Sequence, residues 1–278
     1  MPRFKTFALP LMLAVPFGLA ACAPTEGNRS ASASPDTRAA LAAAVAAPNR
    51  TVANLARDRY RHPAETLAFF GVESDDTVVE LYPGGGWYTE ILAPYLNAAG
   101  GTLYVAAPWE RGLNSVRTLA GNDAANYSRL AYSEFPNTSG NNRVPNGSAD
   151  VVLTFRNVHN WHMAGPGKAQ EAFNQAYAML KPGGTLGVVE HRLPEDMSTS
   201  LQDKSGYMKR STVLELARAA GFQMVGESEI NANPRDTHDY PKGVWTLPPN
   251  YAEKDVDRAK YRAIGESDRM TIRFRKPG

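Results

Sequence analysis

The chain is poor in cysteine: among its 278 residues it has one, Cys22. A single thiol excludes an intrachain disulfide and a zinc site built from cysteine thiolates. A surplus of positive charge is also missing, because 30 lysines and arginines stand against 28 aspartates and glutamates. A nucleic-acid-binding domain normally carries a basic surplus. The sequence therefore argues against nucleic acid as a partner, and it does not indicate an oligomeric state.

The N-terminus carries the one long apolar run of the sequence. Arg3 and Lys5 precede this run, which covers 7–21 and is too short to span a bilayer. The arrangement predicts a signal peptide at 1–21. Its end, Leu-Ala-Ala-Cys, resembles a bacterial lipobox, whose cysteine, here Cys22, is lipidated; an ordinary signal peptide is the alternative. We therefore expect an exported protein, lipid-anchored to the cell envelope, in the outer membrane facing the periplasm.

The rest of the chain divides into a tether and one domain. Residues 22–37 are small, polar and interrupted by proline, which predicts a flexible tether. Residues 38–278 suffice for one α/β domain with a sizeable core. The stretch at about 231–268 is too long for a hairpin loop, so we expect an insertion that covers a cleft. Five of its side chains are candidates for setting substrate choice: Asp236, His238, Asp239, Tyr240 and Trp245.

The run 77–86 predicts a buried strand followed by a tight turn. Val78 and Val79 belong to an apolar stretch without polar alternation, as in a strand covered on both faces. Three glycines at 84–86 then let the backbone approach a ligand with no Cβ in the way, and 87–97 has helical spacing. Open α/β folds hold nucleotide-like ligands at such a turn. The run therefore predicts a small-molecule cofactor.

The order of acidic residue and glycines resembles motif I of class I S-adenosylmethionine-dependent methyltransferases. Glu80 is the acid and Gly84 and Gly86 are the glycines, while Tyr82 stands where the family has its first glycine. Leu-Lys-Pro-Gly-Gly at 180–184 resembles the family's signature before strand five. The likeness extends over about 65–276. Within that superfamily, the chain resembles the exported bacterial proteins called predicted methyltransferases.

The resemblance implies a doubly wound, seven-stranded, mostly parallel α/β sheet of Rossmann-like type, with an antiparallel last strand and helices before the first. Residue patterns predict strands at 77–81, 101–106, 150–155, 185–189, 223–230 and 270–275. They predict helices at 38–47, 51–59, 64–70, 87–97, 168–180 and 211–220, with a helix break at 58–63 and Ser211 as the cap of the last helix.

The resemblance also implies the cofactor S-adenosyl-L-methionine and the residues that hold it. In the family, strand two ends in an acid that binds the ribose, but Ala107 occupies that place. Glu110 is therefore expected to reach the ribose and Trp109 to stack on adenine. Before strand one, Arg59, Tyr60 and Arg61 are expected to contact the cofactor carboxylate or a substrate anion. The expected cofactor-binding residues are Glu80, Tyr82, Gly84, Gly85, Gly86, Trp109 and Glu110.

The densest cluster of chemically active side chains, 155–162, follows the strand predicted at 150–155. His159 is the candidate general base, because imidazole titrates near neutral pH. Arg156 and Asn157 are expected to orient the substrate, a small-molecule or envelope acceptor of the methyl group. The segment 190–192 (Glu-His-Arg) ends the next strand and opens toward the same cleft.

Two other functions use the same residues. Without the ribose-binding acid at Ala107, the protein could be a ligand-binding lipoprotein that kept the methyltransferase fold and lost catalysis. Imidazole and carboxylate groups also bind metals. The candidate ligands for that second alternative are His159, His162 and His191, together with Glu190 and His238.

The lipid anchor can be tested at its attachment point. Cys22→Ser should abolish lipidation, because the thioether to the lipid requires a thiol. Incorporation of labelled palmitate, measured in wild type and variant, checks this; equal labelling of both proteins would contradict the lipoprotein prediction.

Overall fold

The computed structural model describes residues 1–3, 33–108, 111–137 and 140–278. The hydrophobic part of the predicted signal peptide, Cys22, most of the predicted tether, Trp109 and Glu110 lie outside the described residues. Within the described ranges, no helix combines the length and the apolar character that crossing a bilayer requires.

The strands form one main sheet. In chain order they are β1 Thr77–Leu81, β2 Thr102–Ala107, β3 Leu130–Glu134, β4 Ala149–Phe155, β5 Leu180–Leu193, β6 Met208–Lys209, β7 Gln223–Ser228 and β8 Arg269–Arg275. The spatial order is β3-β2-β1-β4-β5-β8-β7. Strands β1 to β5 pair in parallel, whereas β8 is antiparallel to both β5 and β7. The predicted seven-stranded, mostly parallel sheet is confirmed, with β6 as a short addition beside the end of β5.

Helices cover both faces of this sheet. They are α1 Pro35–Val45, α2 Val52–Leu55, α3 Asp58–Arg61, α4 Pro63–Phe70, α5 Thr89–Asn97, α6 Asn114–Asn122, α7 Val158–Met163, α8 Lys168–Met179, α9 Arg210–Ala219 and α10 Arg258–Ile264. Val78 belongs to the core under α1, α4 and α5, and its neighbour Val79 to the core under α7, α8 and α9. Both side chains are fully buried, as a strand covered on two faces requires.

The parallel register brings the ends of three strands to one edge of the sheet. Leu81, the last residue of β1, pairs with Ala106 of β2 and Thr154 of β4. The residues that follow β1 and β4 therefore emerge side by side. This is the edge at which doubly wound folds bind ligands.

Three local expectations are wrong. The helix expected at 51–59 is divided into α2 and α3, and α3 occupies the predicted break; the chain turns only at His62, whose φ is 39°. Ser211 lies inside α9, which begins after Lys209. Its N–H and hydroxyl both donate to the Glu195 carboxylate, at 2.9 and 2.7 Å. The Glu195 carboxylate therefore satisfies one of the free N–H groups in the first turn of α9, that of Ser211 itself.

Candidate active site

A cavity of about 320 Å³ opens at this edge of the sheet. Its wall is formed by the turn after β1, the segment after β4, the helical segment 52–61, His191 of β5, and the insertion before β8 together with Arg269 at the start of that strand. The volume lies near the lower end of the range that is usual for small-molecule sites. The insertion contributes residues 244–245, 248–250 and 266–267 to the lining of the cavity.

The glycine turn presents bare backbone to this cavity. Gly84 and Gly85 line it, and a Cβ built on either residue would meet no atom within 4 Å. Gly86 has a different role, since its Cβ would lie 2.4 Å from a methyl carbon of Leu119 on α6. The structure therefore places Gly84 and Gly85 in the site and uses Gly86 for close packing of the turn.

Tyr82 precedes the turn in a left-handed conformation, with φ of 52°. A non-glycine residue held there costs on the order of 1–3 kcal/mol. Its ring packs edge-on against Phe135 and Trp161, with centroid distances of 6.1 and 5.8 Å. This aromatic cluster holds the side chain beside the core that faces α7 and α8. Tyr82 itself lines the cavity, as a residue whose ring is held by this aromatic cluster.

Glu80 lies beneath the same turn. It is 2 % exposed, and its Oε2 accepts a hydrogen bond of 2.6 Å from the Thr89 hydroxyl on α5. Burial raises the pKa of Glu80 to about 7, and the hydrogen bond from Thr89 offsets only part of that effect. The carboxyl group is thus partly protonated near neutral pH.

His159 also lines the cavity and is paired with the buried carboxylate of Glu190. His159 Nδ1 lies 2.9 Å from Glu190 Oε1, and the two residues are 4 % and 0 % exposed. The same carboxylate accepts the backbone N–H groups of His159 and His191, at 3.3 and 2.7 Å. Because both Glu190 oxygens act as hydrogen-bond acceptors, Nδ1 is assigned the proton as the donor to Oε1, and Nε2 is left free to accept one.

His191 is neutral in this environment. Its Nδ1 lies 2.5 Å from the Ser267 hydroxyl, and its ring centroid lies 5.2 Å from that of His159. Burial and then the positive charges of His159, when protonated, and of Arg156 hold the pKa of His191 well below its usual range. It can accept or donate a hydrogen bond in the cavity without carrying charge.

The metal ligands expected from sequence are only partly brought together. Among the described residues, the donor atoms of His159, Glu190 and His191 lie within 4.8 Å of one another. His162 instead pairs with Asp203 at 2.9 Å and does not line the cavity. His238 lies 3.7 Å from Asp268.

Arg156 and Asn157 follow β4, as predicted, and both line the cavity. Asn157 donates to the carbonyl of Leu81 at 3.1 Å and so ties the end of β4 to that of β1. Arg156 has a positive φ of 63°, a second strained residue at this edge. Among the described residues, its guanidinium makes no hydrogen bond or ion pair.

Sequence reasoning missed the group that joins the cavity walls. Glu266, 3 % exposed, pairs with Arg57 at 2.6 Å, with Arg61 at 3.2 Å and, very closely, with Arg269. All four residues line the cavity. Arg57 and Glu266 are 209 positions apart, so no local pattern links them.

Several other sequence candidates do not line the cavity. Arg59 and Tyr60 contact each other at the surface, and of that predicted group only Arg61 reaches the site. Of the five candidates in the insertion, only Trp245 lines the cavity, with its ring 6.0 Å from that of His159. Asp236 accepts the Tyr207 hydroxyl and the amide of Asp268, which is a structural role.

No protein-family model matches the chain, and no curated protein matches it in sequence. Solved structures do share its fold. A SAM-dependent methyltransferase from Aquifex aeolicus superposes with a TM-score of 0.54 at 14 % identity, over 79 % of this chain and 92 % of that one. The [4+2]-cyclase SpnF superposes with a TM-score of 0.55 at 15 % identity, over 87 % and 93 %. These superpositions, at such low sequence identity, establish the class I methyltransferase fold and nothing finer. The cyclase illustrates that this fold does not determine the reaction.

The buried Glu80 generates a pH-dependent stability. Its pKa in the folded protein, about 7, exceeds the ordinary value of 4.5. The native state therefore binds the proton more tightly than the unfolded chain, and stability falls as pH rises from about 4.5 to about 7. The loss is about 3 kcal/mol, and Glu80→Gln should be free of it. Urea unfolding of wild type and variant at pH 5 and pH 8 measures the difference.

The matched control is Glu215→Gln, which changes an exposed carboxylate on α9. It should leave the pH dependence of stability unchanged. A free-energy difference between Glu80→Gln and wild type that is the same at pH 5 and pH 8 would contradict the raised pKa.

Proposed function

We propose that this protein is an S-adenosylmethionine-dependent methyltransferase that acts on a small acceptor. The observation that carries the proposal is one cavity, in a class I methyltransferase fold, that is lined by both Gly84–Gly85 and His159 with its Glu190 partner. A ligand held on the bare glycines and a base in the same cavity are what group transfer to a nucleophile requires.

The residues of the turn fit the cofactor. Gly84 and Gly85 leave room that a Cβ would fill, and Glu80 offers a carboxyl group beside them. On the ribose side the chain departs from the family, because β2 ends in Ala107. When bound, S-adenosylmethionine supplies an electrophilic methyl group: the bond to sulfur breaks with its electron pair kept on sulfur, as the acceptor oxygen or nitrogen bonds to that carbon.

His159 accounts for the proton of the acceptor. Its Nε2 takes that proton while Nδ1–H stays bonded to Glu190, so the carboxylate stabilises the imidazolium that forms. The burial of both groups strengthens this charge interaction. Trp245 packs beside the imidazole and restricts water there, and Asn157 keeps the two strand ends in register.

Two alternative functions, ligand binding without catalysis and metal binding, make different use of the same cavity. Ala107 supports a protein that binds a ligand without catalysis. The cluster of His159, Glu190 and His191 supports a metal site. Both Glu190 oxygens already accept N–H groups, and those hydrogen bonds would have to be given up to a metal. We therefore favour the base over the metal ligand.

The exported, lipid-anchored location stays part of the proposal. It rests on the basic residues, apolar run and lone cysteine of the N-terminal sequence. In this location, the enzyme requires a supply of S-adenosylmethionine from the cytosol, where that compound is made.

The glycine cradle can be tested by filling it. Gly85→Val should weaken binding of S-adenosylhomocysteine at least about tenfold, because its side chain occupies ligand space. The fold should persist, since a Cβ at this position meets nothing within 4 Å and the φ of Gly85 is not positive. Calorimetry measures the affinity. Gly121→Val, at an equally open position on α6, is the control and should bind as wild type does. Equal affinity in both variants would remove the turn from the site.

The role of His159 can be separated from the alternatives by one substitution. His159→Ala should lower methyl transfer about 10²–10⁴-fold while leaving the affinity for S-adenosylhomocysteine nearly unchanged. Transfer of labelled methyl groups to cell-envelope extracts, with calorimetry, measures both quantities. His162→Ala is the control, because that histidine lies outside the cavity. Equal transfer by wild type and His159→Ala would exclude the base, and metal released by the substitution, seen in elemental analysis, would favour the metal site.

A further inference from the structure

The cavity wall carries more positive than negative charge. Four guanidinium groups line it, whereas the ionised carboxylate among them is Glu266. Glu80 also lines the cavity, but with a pKa of about 7 it carries only part of a charge at neutral pH. Even with Glu190 behind the wall, the positive charges outnumber the negative ones. We call the four residues the arginine cluster: Arg57, Arg61, Arg156 and Arg269.

The arginine cluster has donors without acceptors. Nη2 of Arg57 and Nη2 of Arg61 are buried and have no hydrogen-bond partner within the described part of the chain. Arg61 is 2 % exposed, and its guanidinium is fixed 4.6 Å from the ring centroid of Trp87. Arg156, which is half-buried, contributes a further guanidinium without a partner among the described residues. Buried donors of this kind are costly when no acceptor is present.

Repulsion between the guanidinium groups of the cluster contributes to the lowering of their pKa values. Burial, followed by the charge of Arg269, lowers the pKa of Arg156 to about 10. Burial, followed by the charge of Arg156, holds the pKa of Arg61 well below its usual range. The charged form of each guanidinium is thus destabilised by burial and by its positive neighbours. An anion placed among them would stabilise the charged forms of Arg61 and Arg156.

The proposed cofactor does not supply the missing charge. S-adenosylmethionine carries a sulfonium, an ammonium and one carboxylate, so its net charge is positive. Its single carboxylate balances its own ammonium and leaves the cluster as it was. A second ligand with negative charge is needed for neutrality.

We propose that the arginine cluster binds an oxyanion, a carboxylate or phosphate group, of the methyl acceptor. Guanidinium groups bind such anions through paired N–H donors. That the ligand is the methyl acceptor rests on the proposed function, whereas that it carries an oxyanion rests on the cavity alone.

The position of the cluster suits this role. Arg269 of the cluster donates to the Ser267 hydroxyl at 3.4 Å, and that hydroxyl lies 2.5 Å from Nδ1 of His191. The His191 ring in turn lies 5.2 Å from that of His159. An acceptor anchored by its anion therefore brings its nucleophilic atom to the side of the cavity where His159 accepts a proton.

The test uses the purified full chain with inorganic phosphate as the probe, at constant ionic strength. Arg156→Met keeps most of the side-chain volume and breaks no hydrogen bond or ion pair among the described residues. It should raise the unfolding temperature of the free protein, because an unpaired, half-buried charge that its neighbours repel is removed. It should also weaken phosphate binding at least about tenfold. Arg218→Met, on the exposed face of α9, is the control and should change neither quantity.

Phosphate affinity and unfolding temperature distinguish an anion site from a structural arginine. A variant that is less stable than wild type and binds phosphate equally well would overturn the proposal. Failure of phosphate to stabilise or bind wild type would also overturn it, with the methyltransferase proposal untouched.

Calorimetry with S-adenosylhomocysteine, with and without phosphate, identifies the source of the anion. Unchanged or tighter binding in phosphate supports the acceptor. Competition, in which phosphate weakens S-adenosylhomocysteine binding in wild type but not in Arg156→Met, would assign the cluster to the cofactor carboxylate and overturn the proposal. Phosphate binding without any binding of S-adenosylhomocysteine would contradict methyl transfer and still support an oxyanion site.

Discussion

The buried carboxylate of Glu266 holds the walls of the cavity together. It joins Arg57 and Arg61 from the N-terminal helices to Arg269 at the start of β8. Burial alone would raise its pKa, but the charges of these three arginines hold the pKa of Glu266 well below its usual range. Loss of such a carboxylate leaves buried cations uncompensated, which typically costs about 3–5 kcal/mol. This one buried carboxylate therefore links the helices before the sheet to the start of β8 on the cavity wall.

Even with the carboxylate of Glu266, the cavity wall keeps a net positive charge. One carboxylate is shared by three arginines, and Arg156, on the next strand end, has no partner of its own among the described residues. Tyr82 and Arg156 are both held at positive φ where β1 and β4 end. Unpaired charge and backbone strain cost stability in the free protein, and they coincide at one edge of the sheet. Costs of this kind concentrate at ligand sites, where a bound partner offsets them.

The sequence predicted the features of the fold that depend on local residue patterns. The apolar runs of β1 and β4 and the glycines after β1 specify a doubly wound sheet, and residues after β4, His159 among them, reach the expected edge. The motif did not reveal that Gly86 packs on Leu119 while Gly84 and Gly85 face open space, because the three glycines look alike in sequence. The sequence placed Glu190 directly after the strand predicted at 185–189, beside the strand that precedes His159, but it did not pair the two residues; in the structure Glu190 lies within β5. The link between Arg57 and Glu266 had no signal, because it joins the two ends of the domain and depends on tertiary packing alone.

The central claim is that the cavity beside Gly84 and Gly85 is a cofactor site served by His159. A crystal structure of the protein with S-adenosylhomocysteine tests it most directly. The account predicts ligand density in this cavity, in contact with both glycines, with the pair of His159 and Glu190 intact. Density for the ligand elsewhere on the protein, or an empty cavity in crystals grown at saturating ligand, would contradict it.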